Sequence, residues 1–349
     1  MQNNKEKSTI KRFIKKLFIL FIPFIIVMAI YLHDDPFMVF KDYPQYDSTA
    51  VVLDDAYVCW QTYMHNRDTI PFNSFILGNS CTMAFNCHEW EKYLKEGRAI
   101  RLFGNDEGIV SIYEKLEALD KMGTPIKNVL MMVDNRTLIN CQPSLSHTNI
   151  LPPAVSGISN FKFQTTFFQT FFNPNFIIPY LDYKIAHKYR PYMHGIINPY
   201  GVIREKITND AINPREAMIK QEGEKYWENH KNEFRKKRDA NYRDGKYKKY
   251  PPVLFDNQID ILKKIKKIFV KNNTSYKIVI SPEFNQTNLD KTDVKKLEDI
   301  FGAANVFDYT GINKYTNDWH NYYEKSHYRS VIGAQILKEI YGKEADPKE

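Results

Sequence analysis

The sequence predicts an α/β domain built on a three-layer parallel sheet and preceded by one membrane-spanning helix. Short apolar strands alternate with helical stretches on both sides of a long central insertion, which is typical of βαβ units with helices on both faces of a sheet. Three of these strands end in small or polar residues. In addition, a basic N-terminus is followed by an uncharged apolar run, which is typical of a membrane anchor.

The N-terminus carries most of the net charge of +8. Residues 1–16 hold six basic side chains and one acidic side chain, so the other residues carry 43 of the 49 basic and 40 of the 41 acidic side chains. A charge excess concentrated at the N-terminus indicates membrane topology, whereas nucleic-acid binding needs a basic surface on the folded domain. We therefore expect no nucleic-acid partner.

Residues 17–32 form an apolar run in which Tyr31 carries the only polar group. A helix of this length rises about 24 Å, and the neighbouring Phe13 and Ile14 extend it toward the ~30 Å hydrocarbon core. We predict a cytoplasmic flank and transmembrane signal anchor at 1–32 and an extracytoplasmic domain, periplasmic or at the cell surface, at 33–349. The alternatives are a buried core helix and a cleaved signal peptide, although no small-x-small cleavage site follows the run.

Apolar periodicity places the elements of the domain. The predicted strands are 73–77, 99–103, 128–133, 276–280 and 305–307. The predicted helices are a stretch after Ser80, 109–122, a helix around 260–269, and 330–340. Residues 33–70 show no clear period, so no element is predicted there.

A large helical insertion is predicted at about residues 145–252, between the two groups of strands. Residues 161–180 are crowded with phenylalanine, and these side chains either fill a core or face a membrane. Residues 203–250 are highly charged and include the basic run at 235–238. That run is either a solvated helix face or a contact for anionic head groups or glycans.

The four cysteines are too few for a disulfide scaffold, and they show no metal-ligand spacing with each other or with histidine. We expect neither a structural metal nor a cofactor.

Polar residues follow three of the predicted strands, at Gly78-Asn79-Ser80, Gly104-Asn105-Asp106 and Asp134-Asn135. Sites in parallel α/β sheets form beyond the carboxyl ends of the strands. A serine at a strand-to-helix turn exposes its hydroxyl group, while its N–H faces a developing oxyanion. Such a serine needs a histidine to accept its proton and an acid to orient that histidine. Near the C-terminus, Glu324 precedes His327 by three residues.

These motifs resemble the SGNH (GDSL-like) hydrolase superfamily, which has a flavodoxin-like α/β sheet, a GDS motif with the nucleophile, and a C-terminal DxxH motif. The resemblance implies that Ser80 is the nucleophile, His327 the base and Glu324 the acid. Asn79 and Glu324 stand where the superfamily has aspartates. Gly104 and Asn135 are the implied oxyanion residues, although Asp134-Asn135 departs from the superfamily's GxND motif.

Several alternatives remain open for individual residues. Ser80 can be read as a helix cap, and His327 as a structural histidine. Asp318 is an alternative acid, Asn105 an alternative oxyanion residue, and Cys81 an alternative nucleophile.

An anchor joined to an SGNH-like domain further resembles the acyl-transfer proteins that work beside membrane-bound O-acyltransferases in alginate O-acetylation and teichoic acid D-alanylation. The resemblance implies a serine O-acyltransferase or esterase that acts on a cell-surface exopolysaccharide through an acyl-Ser80 intermediate. It also implies a membrane-bound O-acyltransferase as a partner. The alternative is a non-catalytic, membrane-tethered binding or assembly subunit with the same fold.

Overall fold

A computed structural model of the chain describes residues 2–198, 203–243 and 246–342. At its centre is a five-stranded parallel sheet with the strand order β2-β1-β3-β4-β5. The strands are β1 (Ser74–Gly78), β2 (Ala99–Phe103), β3 (Asn128–Val133), β4 (Ser275–Ile280) and β5 (Val306–Asp308). The α/β class and the parallel sheet are confirmed, and each predicted strand end lies within one residue of the observed one.

The described part of the chain contains thirteen α-helices. In chain order they are α1 (Gln2–Asp34), α2 (Asp55–Asn66), α3 (Cys87–Glu91), α4 (Ile109–Lys121), α5 (Asn135–Ile139), α6 (Pro153–Ser156), α7 (Asn160–Phe171), α8 (Pro174–Ala186), α9 (Pro214–Glu222), α10 (Glu224–Asn241), α11 (Asp256–Lys271), α12 (Lys291–Phe301) and α13 (Ser330–Tyr341).

Both faces of the sheet are buried, each by its own apolar core. Leu77 and Met131 face one core, to which α4, α11 and α12 contribute their apolar sides. Ile76 and Met132 face the other core, which contains the apolar side of α13. Burial on both faces explains why the strands read as continuous apolar runs rather than as alternating patterns.

The helix predictions were wrong at one place and incomplete at three, because α2, α5 and α12 were not predicted. The stretch after Ser80 is not one helix but a 3-10 helix (Ser80–Ala84) followed by α3, because Phe85 is extended between them and Asn86 caps the second piece. Helix α2 was missed in the segment without a clear period. Its buried face is built mainly of Tyr57, Trp60 and Tyr63, which carry polar atoms and therefore weaken the apolar signal.

The segment 145–252 holds helices α6 to α10 and two short antiparallel hairpins. It packs closely on the sheet, because the N–H of Arg101 in β2 donates to the carbonyl of Thr208 at 2.9 Å. Tyr226 and Trp227 of α10 belong to the same core as α13. The side chains of the basic run at 235–238 lie outside the described residues.

Helix α1 contains, at Lys11–Asp34, the one helix of the described residues that is long and apolar enough to cross a membrane. Its last turn joins a third apolar core with α7 and α8, in which Phe163, Phe167, Phe171 and Phe176 are buried. Most of the phenylalanine-rich segment therefore fills a core. Phe161 is nevertheless 80% exposed.

Candidate active site

Ser80 is presented by a tight turn at the carboxyl end of β1, the strand between β2 and β3. Gly78 ends the strand with a φ of +136°, and a Cβ there would lie 2.4 Å from the carbonyl oxygen of Met132 in β3. Asn79 then caps the 3-10 helix, since its Oδ1 accepts the N–H of Cys81 at 2.9 Å. The turn thus needs glycine at one position and a short capping side chain at the next.

Asn79 also ties the end of β1 to the end of β3. Its Nδ2 donates to Asp134 Oδ2 at 2.6 Å and to Thr137 Oγ1 at 3.1 Å. The other oxygen of Asp134 caps α5 by accepting the N–H of Thr137 at 2.7 Å. Asn79 is therefore a structural link between two of the predicted site loops.

Two further contacts hold the 3-10 helix that begins at Ser80. The buried guanidinium of Arg101 donates to the carbonyl of Thr82 at 3.2 Å. On the other side, α13 packs so closely that a Cβ at Gly333 would lie 2.0 Å from the carbonyl oxygen of Ala84. The position of Ser80 thus depends on residues from β2 and from the last helix.

His327 lies beside Ser80, on a two-stranded antiparallel ribbon formed by Tyr322–Glu324 and His327–Tyr328. Its Nε2 is 2.8 Å from Ser80 Oγ. Its Nδ1 is hydrogen bonded to Glu324 Oε1, because the ribbon register places these two residues opposite each other. A carboxylate accepts the Nδ1–H, which leaves Nε2 free to accept the proton of the serine hydroxyl.

The acid is held in its ionised form. Burial of Glu324 favours the neutral carboxyl group, but hydrogen bonds from His327 and from the N–H of Ser326, at 2.8 Å, outweigh it and lower the pKa of Glu324. The side chains of His327 and Glu324 are 26% and 15% exposed. The histidine is therefore ordered by its neighbours yet reachable from solvent.

The predicted oxyanion residues are not brought together as clearly. The Ser80 N–H has no acceptor among the described residues, whereas the N–H of Gly104 donates to the carbonyl of Gly78 at 3.3 Å. An oxyanion at Ser80 would have to compete with that carbonyl for the Gly104 N–H. The side chain of Asn135, next to Asp134, has a buried Oδ1 without a hydrogen-bond partner in the described structure. The roles of Gly104 and Asn135 stay predictions.

The structure disfavours three of the alternative residues, two by their contacts and one by its pKa. Asn105 donates its amide to Asp55 of α2, and Asp318 accepts from Nδ1 of His320 rather than from His327. Burial, followed by nearby carboxylates, raises the pKa of Cys81 well above its usual value, so the thiol stays protonated and is a poor nucleophile.

His320 itself sits between two carboxylates, Asp318 and Glu224. Burial disfavours its charged form, but the two hydrogen bonds outweigh burial and raise the pKa of His320.

A polar pair near the site was not predicted. The hydroxyl of Tyr250 donates to Glu283 Oε2 at 2.7 Å, and burial, with that carboxylate next, raises the pKa of Tyr250. The charge of Asp134 also acts on Tyr250, so the pair lies close to the Asn79–Asp134 link. The signal was available in the sequence, because Ser281-Pro282-Glu283 follows β4 as the other polar motifs follow their strands.

A polar cavity of about 280 Å³ opens beyond β2 and β3, lined among others by Gly104, Glu107, Arg136 and Asn140. Glu107 is buried there as an ion pair with Lys115, at 2.5 Å. The described residues contain no cluster of three or more histidine, cysteine or acidic side chains able to hold a metal.

No model of a known protein family matches this chain, and no curated protein is significantly similar to it.

Proposed function

We propose that this chain is a membrane-anchored, extracytoplasmic serine acyl-ester enzyme of the SGNH (GDSL-like) type, with the three-layer fold of that superfamily. The strand order supports the fold, since 2-1-3-4-5 is the flavodoxin-like order of doubly wound sheets, in which ligands bind at the carboxyl ends of the strands. Ser80 follows β1, at the switch point between β1 and β3, where such a site is expected in this strand order.

One observation carries the proposed chemistry, namely the hydrogen-bonded chain from Ser80 Oγ through His327 to Glu324. Helix capping does not explain the position of Ser80 in this chain, because Asn79 rather than Ser80 caps the 3-10 helix. A structural histidine would not need its second nitrogen placed 2.8 Å from an accessible serine hydroxyl.

In the proposed reaction, Ser80 Oγ attacks the carbonyl carbon of an acyl ester while His327 Nε2 takes the hydroxyl proton. The ionised Glu324 orients the imidazole and stabilises the imidazolium that forms. The imidazolium then protonates the leaving oxygen, which leaves an acyl group on Ser80. A sugar hydroxyl or water attacks this acyl group in the second half-reaction, and His327 again acts as the base.

The oxyanion of each tetrahedral intermediate is stabilised in this proposal by the Ser80 N–H, together with Gly104 and Asn135. A loss of one oxyanion donor typically costs about 10²–10³ in rate. The Gly104 N–H takes part only if its hydrogen bond to the Gly78 carbonyl yields to the oxyanion.

The anchor supports the proposed location and, through it, the proposed substrate. The apolar part of α1 is exposed up to Ile26, as a helix in lipid requires, and only its last turns pack on the domain. The basic N-terminal flank orients the domain outward. An ester enzyme tethered there is suited to a cell-surface polysaccharide as acyl acceptor or acyl donor, and to a membrane-bound O-acyltransferase as partner.

Labelling with a serine-directed fluorophosphonate tests the proposal. The wild-type chain should be labelled and Ser80→Ala should not, while Ser146→Ala, which changes an exposed loop serine, should label like the wild type. Equal labelling of the Ser80→Ala variant would contradict the proposal. Absence of labelling in all three proteins would favour the alternative, a non-catalytic, membrane-tethered binding or assembly subunit.

A further inference from the structure

Helices α7 and α8 form a hairpin whose tip points along α1, away from the α/β domain. The ring contacts of α7 move toward the N-terminus of α1 as α7 advances. Phe171 contacts Tyr31 with ring centroids 4.8 Å apart, and Phe172, at the turn, contacts Phe24 with centroids 5.1 Å apart. Phe172 also contacts Tyr31, with centroids 6.4 Å apart, so the tip of the hairpin lies between the levels of Phe24 and Tyr31.

Helix α8 packs beside the end of α1, since Phe176 in its first turn contacts Phe37, with ring centroids 4.8 Å apart. The hydroxyl of Tyr180 donates to Asp34 Oδ2 at 2.6 Å, and Lys184 forms an ion pair with the same carboxylate. Asp34 is the last residue of α1, so the open end of the hairpin is level with the end of the apolar run.

The depth of Phe24 follows from the length of that run. Residues 17–32 rise about 24 Å as a helix, which is less than the ~30 Å hydrocarbon core, so the whole run must lie in lipid if α1 crosses a bilayer. Phe24 is eight residues before Leu32 and hence about 12 Å below the end of the run. A hairpin tip between Phe24 and Tyr31 then lies at most about 12 Å below the end of the run.

The hairpin also exposes apolar side chains. Ile178 in α8 is 60% exposed, and Phe161 and Ile185 at the open end are 80% and 79% exposed. An apolar surface of this kind beside an exposed apolar helix is typical of a membrane contact.

Several polar groups of the hairpin are satisfied within it, whereas Gln169, Asn173 and Asn175 near the turn expose their side chains. Thr166 and Thr170 donate their hydroxyl groups to carbonyls four residues earlier in α7, at 3.0 and 2.9 Å, as helices in lipid require. Asn173 caps α8 at the turn by accepting the N–H of Asn175 at 2.9 Å. Lys184 and Lys188 lie exposed at the open end, where lipid phosphates are expected.

We infer that the α7–α8 hairpin is a second, monotopic membrane element, whose tip sits among lipid acyl chains against α1. This inference rests on the proposed function for the statement that α1 spans the bilayer. The hairpin and α1 together would give the domain a fixed orientation over the membrane surface, because the third apolar core joins both to the sheet through α2.

Spin labels on the full-length chain in nanodiscs of phosphatidylcholine and phosphatidylglycerol test this inference. Cys81→Ser and Cys141→Ser remove the two partly exposed cysteines, and the two buried ones remain. Single cysteines then replace Ile178 on the hairpin, Ile26 on α1, or Ile212, an exposed residue far from α1 in the chain that serves as the aqueous control. Collisions with molecular oxygen, which concentrates in hydrocarbon, are compared with collisions with a water-soluble nickel chelate.

We expect oxygen to dominate at positions 178 and 26, and the nickel chelate to dominate at position 212. If oxygen collisions dominate at position 26 but nickel-chelate collisions dominate at position 178, the hairpin inference is overturned and the anchor remains. If nickel-chelate collisions dominate at position 26, the anchor itself is refuted. Protection of position 178 from both reagents would indicate a protein contact, such as a second copy of the chain, and would also overturn the inference.

Discussion

Arg101 should be the most stability-critical charge of the site, because it connects β2, the insertion and the Ser80 helix from a side chain that is only 1% exposed. Its Nε and Nη2 donate to the carbonyl of Asn209 at 3.1 and 2.6 Å, and its Nη1 donates to the carbonyl of Thr82 at 3.2 Å. Nη2 also lies 3.5 Å from Asp210 Oδ1. Arg101→Met keeps an apolar side chain but leaves two carbonyls and one carboxylate without this partner.

Removal of one member of a buried ion pair costs about 3–5 kcal/mol, since the remaining charge stays buried. We expect that loss in the free energy of unfolding of Arg101→Met, measured by urea titration of the detergent-solubilised full chain with tryptophan fluorescence. Arg98→Met is the matched control, because its ion pair with Glu91 is 3.9 Å long, its side chain is 44% exposed, and such pairs contribute about 0–1 kcal/mol. Equal losses in the two variants would refute the reasoning.

Three further predictions follow from named contacts. Glu324→Gln should slow fluorophosphonate labelling by at most about 10⁴-fold, and by less than Ser80→Ala does, because it disturbs only the orientation of the base. A loss of labelling as complete as that of Ser80→Ala would contradict this role. His320→Gln should destabilise the chain more at pH 5.5 than at pH 8.5. The raised folded pKa of His320 adds stability that is fully present below the unfolded pKa and is lost as pH rises through the folded pKa; thermal melting at both pH values measures the difference, and equal effects would contradict it. Gly333→Ala should cost about 1–3 kcal/mol and reduce labelling of Ser80, because its methyl group meets the Ala84 carbonyl; unchanged melting and labelling would show that α13 does not position this helix.

The strands of the sheet were predictable because local sequence patterns determine where each strand lies. Strands buried on both faces leave apolar runs such as Val129–Val133, and the polar residues after them follow from the strand-end rule. The same rule predicted Ser80 as a site residue. Glu324 and His327 are three residues apart because they lie opposite each other on a short ribbon. Nothing in the sequence, however, fixed which acid meets His327, because Asp318 is close to it in the chain and only the fold directs Asp318 to His320.

Contacts between segments far apart in sequence were not predicted, because only the tertiary fold brings those segments together. The support of the Ser80 helix by Arg101 joins residues far apart in sequence, and a buried arginine in an apolar strand gives no hint of its partners. Helix α2 was missed because aromatic residues with polar atoms form its buried face. The hairpin α7–α8 was visible only as a phenylalanine-rich segment, since its placement against α1 depends on tertiary packing.

The most direct test of the central claim is to look for the acyl-enzyme itself. The full-length chain is incubated with p-nitrophenyl acetate, quenched in acid, digested and sequenced by tandem mass spectrometry. We predict an acetyl group on Ser80 in the wild-type chain and none there in Ser80→Ala or His327→Ala. An acetyl group on another residue such as Cys81, or no acetylated peptide in the wild type, would contradict the assignment of Ser80 as the nucleophile.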